Sequence, residues 1–158
     1  MALQQDRNPQ QLVVIGSSAG GIEALSVVLA SLPKDFSAPI VIAQHVDPNR
    51  PSHLAEILGR RSALPIQTVT EHETLTGGTV YVVPADRHVR ITDHALELSQ
   101  DTTGRPKPSV DLLLSTAANV FSDRLVAVIL TGTGSDGTIG ARDVKKAGGT
   151  VLIENPET

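Results

Sequence analysis

Short apolar runs alternate with helical spacings along this chain. Leu12-Val13-Val14-Ile15 is unbroken and rich in β-branched residues, the pattern of a strand buried on both faces. Residues 16–21 read as a tight turn. Ile22, Leu25, Leu29 and Leu32 then recur at three- and four-residue steps, which predicts a helix with one apolar face that ends before Pro33. A second buried strand is expected at 40–43. The loop 45–52 holds Pro48 and Pro51, and Ser52 is placed to cap a helix carrying Leu54, Ile57 and Leu58. Further strands are expected at 66–69 and 79–83, with a turn at Gly77-Gly78 between them.

Val89-Arg90-Ile91 and Ala95-Leu96-Glu97-Leu98 alternate in polarity on either side of Asp93-His94, which predicts a half-exposed antiparallel hairpin near 88–99. The polar stretch 101–108 reads as a loop. Ser109 is positioned to cap a helix running to about residue 121. Residues 125–130 form the most apolar run and predict a central strand. A turn at 131–137, a helix ending near Gly148 and a last strand at 150–153 complete the pattern. Continuous apolar strands alternating with helices imply an α/β, doubly wound, mostly parallel sheet with helices on both faces. A length of 158 residues suits one domain, and no internal repeat or interdomain linker interrupts it.

Composition narrows the function classes. Aromatics make up 2% of the chain, so the core is aliphatic and base stacking on nucleic acid is disfavoured. The net charge is −4. Arg60-Arg61 and Lys145-Lys146 are isolated pairs, not the clustered basic surface that tracks phosphates. The absence of cysteine excludes a disulfide framework, a Cys-based zinc site and a thiol nucleophile. The first eleven residues lack the apolar core of a signal peptide, and no apolar run approaches the ~18 residues of a membrane span. The expectation is a cytoplasmic domain over 11–158 behind a disordered leader at 1–10.

In open α/β sheets, sites form beyond the carboxyl ends of the strands, and three reactive residues are expected there. Gly16-Ser17-Ser18-Ala19-Gly20 fits G-x-S-x-G with Ser18 central, between a strand and a helix. Such a turn lifts the hydroxyl clear of the sheet, and free N–H groups at the helix start can stabilise an oxyanion. Ala19 supplies the first of these donors. A plain Gly-rich turn or a phosphate cradle is the alternative, although neither G-x-G-x-x-G nor a P-loop lysine is present. His45 follows the second strand and could take the serine proton. His53, His72, His88 and His94 compete with it from a helix start, a loop and a hairpin. Asp136, in the Gly-rich run 131–137 after the central strand, could fix the histidine tautomer or simply cap the next helix. The order Ser…His…Asp is not that of the α/β-hydrolases, chymotrypsin or subtilisin.

The segments Val14-Ile-Gly-Ser-Ser-Ala-Gly-Gly21, Ala38-Pro-Ile-Val-Ile-Ala-Gln-His45, Gly78-Thr-Val-Tyr-Val-Val-Pro84, Lys107-Pro-Ser-Val-Asp-Leu-Leu113 and Val128-Ile-Leu-Thr-Gly-Thr-Gly-Ser-Asp-Gly137 resemble, in order, the motifs of CheB-type protein-glutamate methylesterases. The resemblance implies a metal- and cofactor-independent serine hydrolase in chemotaxis-type adaptation. It would remove methyl groups from glutamate esters on the cytoplasmic helices of chemoreceptors, and family members often deamidate receptor glutamines too. It matches Ser18 to the nucleophile, His45 to the base and Asp136 to the orienting acid, and it adds the N–H of Thr133 to the oxyanion donors. Ala19 and Thr133 stand where the family often has Thr and usually has Met, and the histidine of its Arg-His-Arg-Pro-Ser-Val-Asp segment is missing. The resemblance also implies a regulatory domain and a final loop and helix beyond this sequence, so self-association through the face they would cover is expected. The alternative is an inactive binding or regulatory module from a larger signalling fusion.

Overall fold

Strand β1 (Leu12–Ser17) forms the middle of the chain's main sheet, and its burial on both faces accounts for its continuous apolar sequence. In chain order there follow α1 (Ile22–Ala30), β2 (Ile40–Gln44), α2 (Leu54–Gly59), β3 (Ile66–Thr68), β4 (His72–Thr74), β5 (Val80–Val82), β6 (His88–Thr92), β7 (Ala95–Ser99), α3 (Val110–Phe121), β8 (Leu125–Leu130), α4 (Thr138–Lys146) and β9 (Thr150–Ile153). This computed structural model describes residues 9–18, 21–45, 53–84, 87–99, 109–130 and 136–154.

Six strands form one parallel sheet in the order β3-β5-β2-β1-β8-β9. Alternate residues of the central strands feed two cores. Ile15, Ile40 and Ile42 meet Leu25 and Leu29 of α1 and Leu54 and Leu58 of α2 on one face. Val14, Val41 and Ala43 meet Val110, Leu113, Leu114 and Ala117 of α3 and Val144 of α4 on the other. Each fully buried leucine of these layers contributes about 1.5–3 kcal/mol. The doubly wound architecture expected from the strand–helix alternation is therefore present.

The hairpin expected near 88–99 is β6 and β7, turning at Asp93 with φ 55. It acquires a third strand, because β4 pairs antiparallel with β7. Two of the three β4 residues are exposed, so its sequence carries no apolar signal. At the end of α1 the last turn tightens: Ser31 N–H reaches Val28 O and Leu32 N–H reaches Leu29 O, both at 3.2 Å. Leu32 thus lies past the helix yet still packs on the core. Ser52, the expected cap of α2, lies outside the described residues, as do residues 1–8 of the expected leader. β9 is an edge strand with Leu152 and Ile153 53% and 71% exposed. Among the described residues no helix is long and apolar enough to cross a membrane.

The connection from β1 runs through α1 to β2 on one side, and that from β8 runs through α4 to β9 on the other. The winding therefore reverses at the β1–β8 boundary, and in doubly wound sheets ligand sites form at the carboxyl ends of the strands beside such a reversal.

Candidate active site

Ser18 is the first residue beyond β1 and His45 the first beyond β2. The last register pair of these parallel strands is Ser17↔Gln44, so Ser18 and His45 take the next step across, on strands about 4.8 Å apart. The N–H of His45 donates to Ser17 O at 2.8 Å, which extends the ladder to the histidine itself.

The exit from β1 is held at one atom. The carbonyl oxygen of Ser18 accepts from the N–H of Gly21 at 2.9 Å, from Ser17 Oγ at 2.9 Å and from Gln44 Nε2 at 3.1 Å. Ser17 and Gln44 are buried, and neither is among the reactive residues expected from the sequence. Polar residues at the last positions of two otherwise apolar strands were the available signal, since a buried polar group requires a partner.

His45 Nε2 lies 2.7 Å from Asp136 Oδ2, with 22% of the histidine side chain and 6% of the aspartate side chain exposed. Asp136 is held from a second direction. Its Oδ2 also accepts the N–H of Val110 at 2.8 Å and its Oδ1 that of Asp111 at 2.9 Å. These are the first two amides of α3, donors with no partner inside their helix. The third, Leu112 N–H, is taken by the cap Ser109 Oγ at 3.1 Å, as the sequence predicts.

Burial opposes the charge on Asp136. The hydrogen bonds from His45, Val110 and Asp111 and the attraction of His45 outweigh it and hold the carboxyl below its usual range. An ionised carboxylate only accepts, so His45 Nε2 carries the proton that faces Asp136, and Nδ1 is the ring nitrogen turned away from the acid.

Among the described residues the Asp136 carboxylate bonds to His45 and α3 and not to the next helix, the alternative its sequence position offers. It caps α3, while α4 is capped from α3. Asp111 Oδ1 accepts the N–H groups of Gly137 at 2.9 Å and Gly140 at 2.8 Å. Asp111 belongs to the Pro-Ser-Val-Asp segment that resembles the family's motif, but its own sequence neighbourhood assigns it no more than the first-turn acid a helix dipole favours.

Of the other histidines, His53 is exposed and lies 3.8 Å from Glu56. His72 is exposed on β4. His94 contacts Asp93 at 2.8 Å and meets Phe121 edge-on. His88 is fully buried, and its Nδ1 accepts the N–H of Ser109 at 3.0 Å. The alternation of β6 would turn it outward with Arg90 and Thr92, but the start of α3 lies against this end of the strand. The structure thus joins His45 to Asp136 and sets Ser18 on the adjacent strand end. Ala19 and Thr133, the expected oxyanion donors, lie outside the described residues. Among the described residues no group of three or more His, Cys, Asp or Glu could hold a metal ion.

Fold and site together define a class: doubly wound α/β proteins with a serine and a histidine at the ends of two neighbouring strands and a carboxylate bonded to the histidine. Comparison with known proteins narrows it. The family model described as CheB methylesterase matches residues 13–158. A Thermotoga maritima protein named protein-glutamate methylesterase/protein-glutamine glutaminase is 39% identical over 153 residues, 94% of this chain and 44% of that protein. A Leptospira interrogans relative is 37% identical over 150 residues, 94% of this chain and 78% of that protein. The crystal structure of the Thermotoga maritima CheB methylesterase catalytic domain superposes with a TM-score of 0.86 at 40% identity, covering 94% of this chain and 81% of that one. The chain belongs to the CheB methylesterase family. It spans less than half the length of the Thermotoga maritima relative.

Proposed function

We propose that this chain is a serine hydrolase that removes methyl groups from glutamate methyl esters of chemoreceptors in chemotaxis-type adaptation. The observation that carries the reading is the 2.7 Å contact of His45 with a carboxylate locked by two helix amides, one strand step from Ser18 in a chain of this family. Ser18 Oγ attacks the γ-carbonyl carbon of the ester as its proton passes to His45 Nδ1. Asp136 holds the ring and stabilises the imidazolium. Backbone N–H groups of Ala19 and Thr133 stabilise the oxyanion. The imidazolium returns its proton to the departing methoxide, and methanol leaves. Water then adds to the acyl-enzyme, its proton passing to His45, and the glutamate carboxylate is released with Ser18 restored. A glutamine side chain follows the same path with ammonia as the leaving group, the second activity in the relatives' name. Substrates of this kind place the enzyme at the cytoplasmic ends of receptors.

The test is methanol release from methylated receptor, with Ser18→Ala as the control. Wild-type protein should release methanol and the variant should be slower by several orders of magnitude, about the loss seen when a triad nucleophile is removed. Equal rates would refute Ser18 as nucleophile. Receptor binding without methanol release by the wild-type protein would favour the inactive module.

A further inference from the structure

We infer that Asp111 is a positioning residue of this site, acting through Asp136 and resting on the reading just given. The two aspartates close a ring between helix starts. The N–H of Asp111 donates to Asp136 Oδ1 at 2.9 Å, and the carboxylate of Asp111 accepts the N–H of Gly137 at 2.9 Å. That second amide belongs to the peptide joining Asp136 to Gly137. Asp111 therefore grips Asp136 twice, by the side chain and by the backbone that follows it. Gly140 N–H reaches the same Asp111 oxygen at 2.8 Å, which ties the grip to the third residue of α4.

The backbone here needs such a tether. Gly137 has φ 106, the left-handed region that glycine visits freely. As the N-cap residue of α4 it offers no side-chain acceptor of its own. Approach of the helices is also close at this end, since a Cβ on Gly140 would stand 2.7 Å from Leu114 Cβ and 3.1 Å from Asp111 Cα. With the Asp111 carboxylate removed, the amides of Gly137 and Gly140 lose their acceptor, the Asp136–Gly137 peptide loses a restraint, and the acceptor of His45 shifts with it. A displacement of about 1 Å in a catalytic array is worth about 100-fold in rate.

The experiment compares Asp111→Ala, Asp111→Asn and Asp143→Ala. Asp143 Oδ2 accepts from Ser115 Oγ at 2.6 Å, a link between the same two helices away from the site, so its loss reports on general α3–α4 weakening. Two readouts are taken: the kcat and KM of ester hydrolysis, and the downfield proton resonance of the His45–Asp136 hydrogen bond. Asp111→Ala should lower kcat by about 10- to 100-fold, leave KM within about twofold, and broaden or remove the downfield proton. Asp111→Asn keeps an oxygen for both amides and should restore most of kcat and the resonance. Asp143→Ala should keep both.

An Asp111→Ala protein with the wild-type kcat and resonance overturns the inference. So does an Asp143→Ala protein as impaired as Asp111→Ala. If Asp111→Ala does not fold, Asp111→Glu moves the acceptor by one methylene and should show the same fall in kcat, and an unchanged kcat there also overturns it. The resonance does not depend on turnover. Activity retained by Ser18→Ala would therefore defeat the proposed function while leaving the positioning of Asp136 separately measured.

Discussion

Gly16 lies against the side chain of Val110, so closely that a Cβ on the glycine would stand 2.9 Å from Val110 Cγ1 and 3.2 Å from Cγ2. Val110 is fully buried and opens α3, and its amide holds Asp136. The first glycine of G-x-S-x-G thus gives room to the helix that orients the acid. Gly16→Ala should force Val110 away, costing about 1–3 kcal/mol by overpacking and lowering hydrolysis. The double variant Gly16→Ala with Val110→Ala should regain part of the lost rate. Urea midpoints and initial rates on the three proteins check this, and no recovery in the double variant would remove the contact as the cause.

Asp136→Asn should damage stability as well as turnover. The carboxylate serves three donors through two oxygens, whereas an amide offers one oxygen and turns an NH2 toward a remaining donor. Leaving that buried donor unmet costs about 1–3 kcal/mol. The rate should fall by about 10⁴, as when a triad aspartate is replaced by asparagine. Chemical denaturation and hydrolysis assays measure the two losses separately. An Asn variant as stable as wild type would mean the α3 amides do not depend on this carboxylate.

Acid should erode the contribution of Asp136 in one direction. Its pKa in the folded state lies below the ordinary 3.8, so the unfolded chain takes up the proton first. The stabilisation is fully present above the ordinary value and is lost as pH falls from there through the depressed folded value. The stability difference between wild type and Asp136→Asn should therefore stay constant near neutrality and narrow at about pH 4 and below. Denaturation midpoints measured from neutral pH into acid test the sign. A difference that widens in acid would contradict it.

The histidine of the proposed triad should show an unusual tautomer. In the chymotrypsin arrangement Nδ1 faces the aspartate and Nε2 the serine, whereas here Nε2 faces Asp136. Nitrogen NMR of the neutral ring should place the proton of His45 on Nε2. A proton on Nδ1 would require the ring to sit the other way round.

Much of this was legible in the chain. The parallel sheet followed from unbroken apolar runs such as 12–15 and 125–130, because a strand covered on both faces has no need of alternation. Ser18, His45 and Asp136 stood out because each follows such a run. Residues bound through distant helix starts were not legible in that way. Asp111 sits in a family-like segment, but nothing in that segment tells of its partners Gly137 and Gly140, 26 and 29 residues away. His88 breaks the alternation of its own strand, and its buried ring accepts from Ser109, 21 residues later. β4 pairs by backbone, and its mostly exposed side chains carry no periodic mark.

His45 and Asp136 are 91 positions apart, and β8, which leads to the acid, lies on the opposite side of β1 from β2. A ribosome-bound polypeptide that has just completed β2 already holds the hydroxyl and the imidazole, but nothing yet orients the ring. On the proposed mechanism, competence is thereby deferred until synthesis has passed α3 and β8 and delivered Asp136.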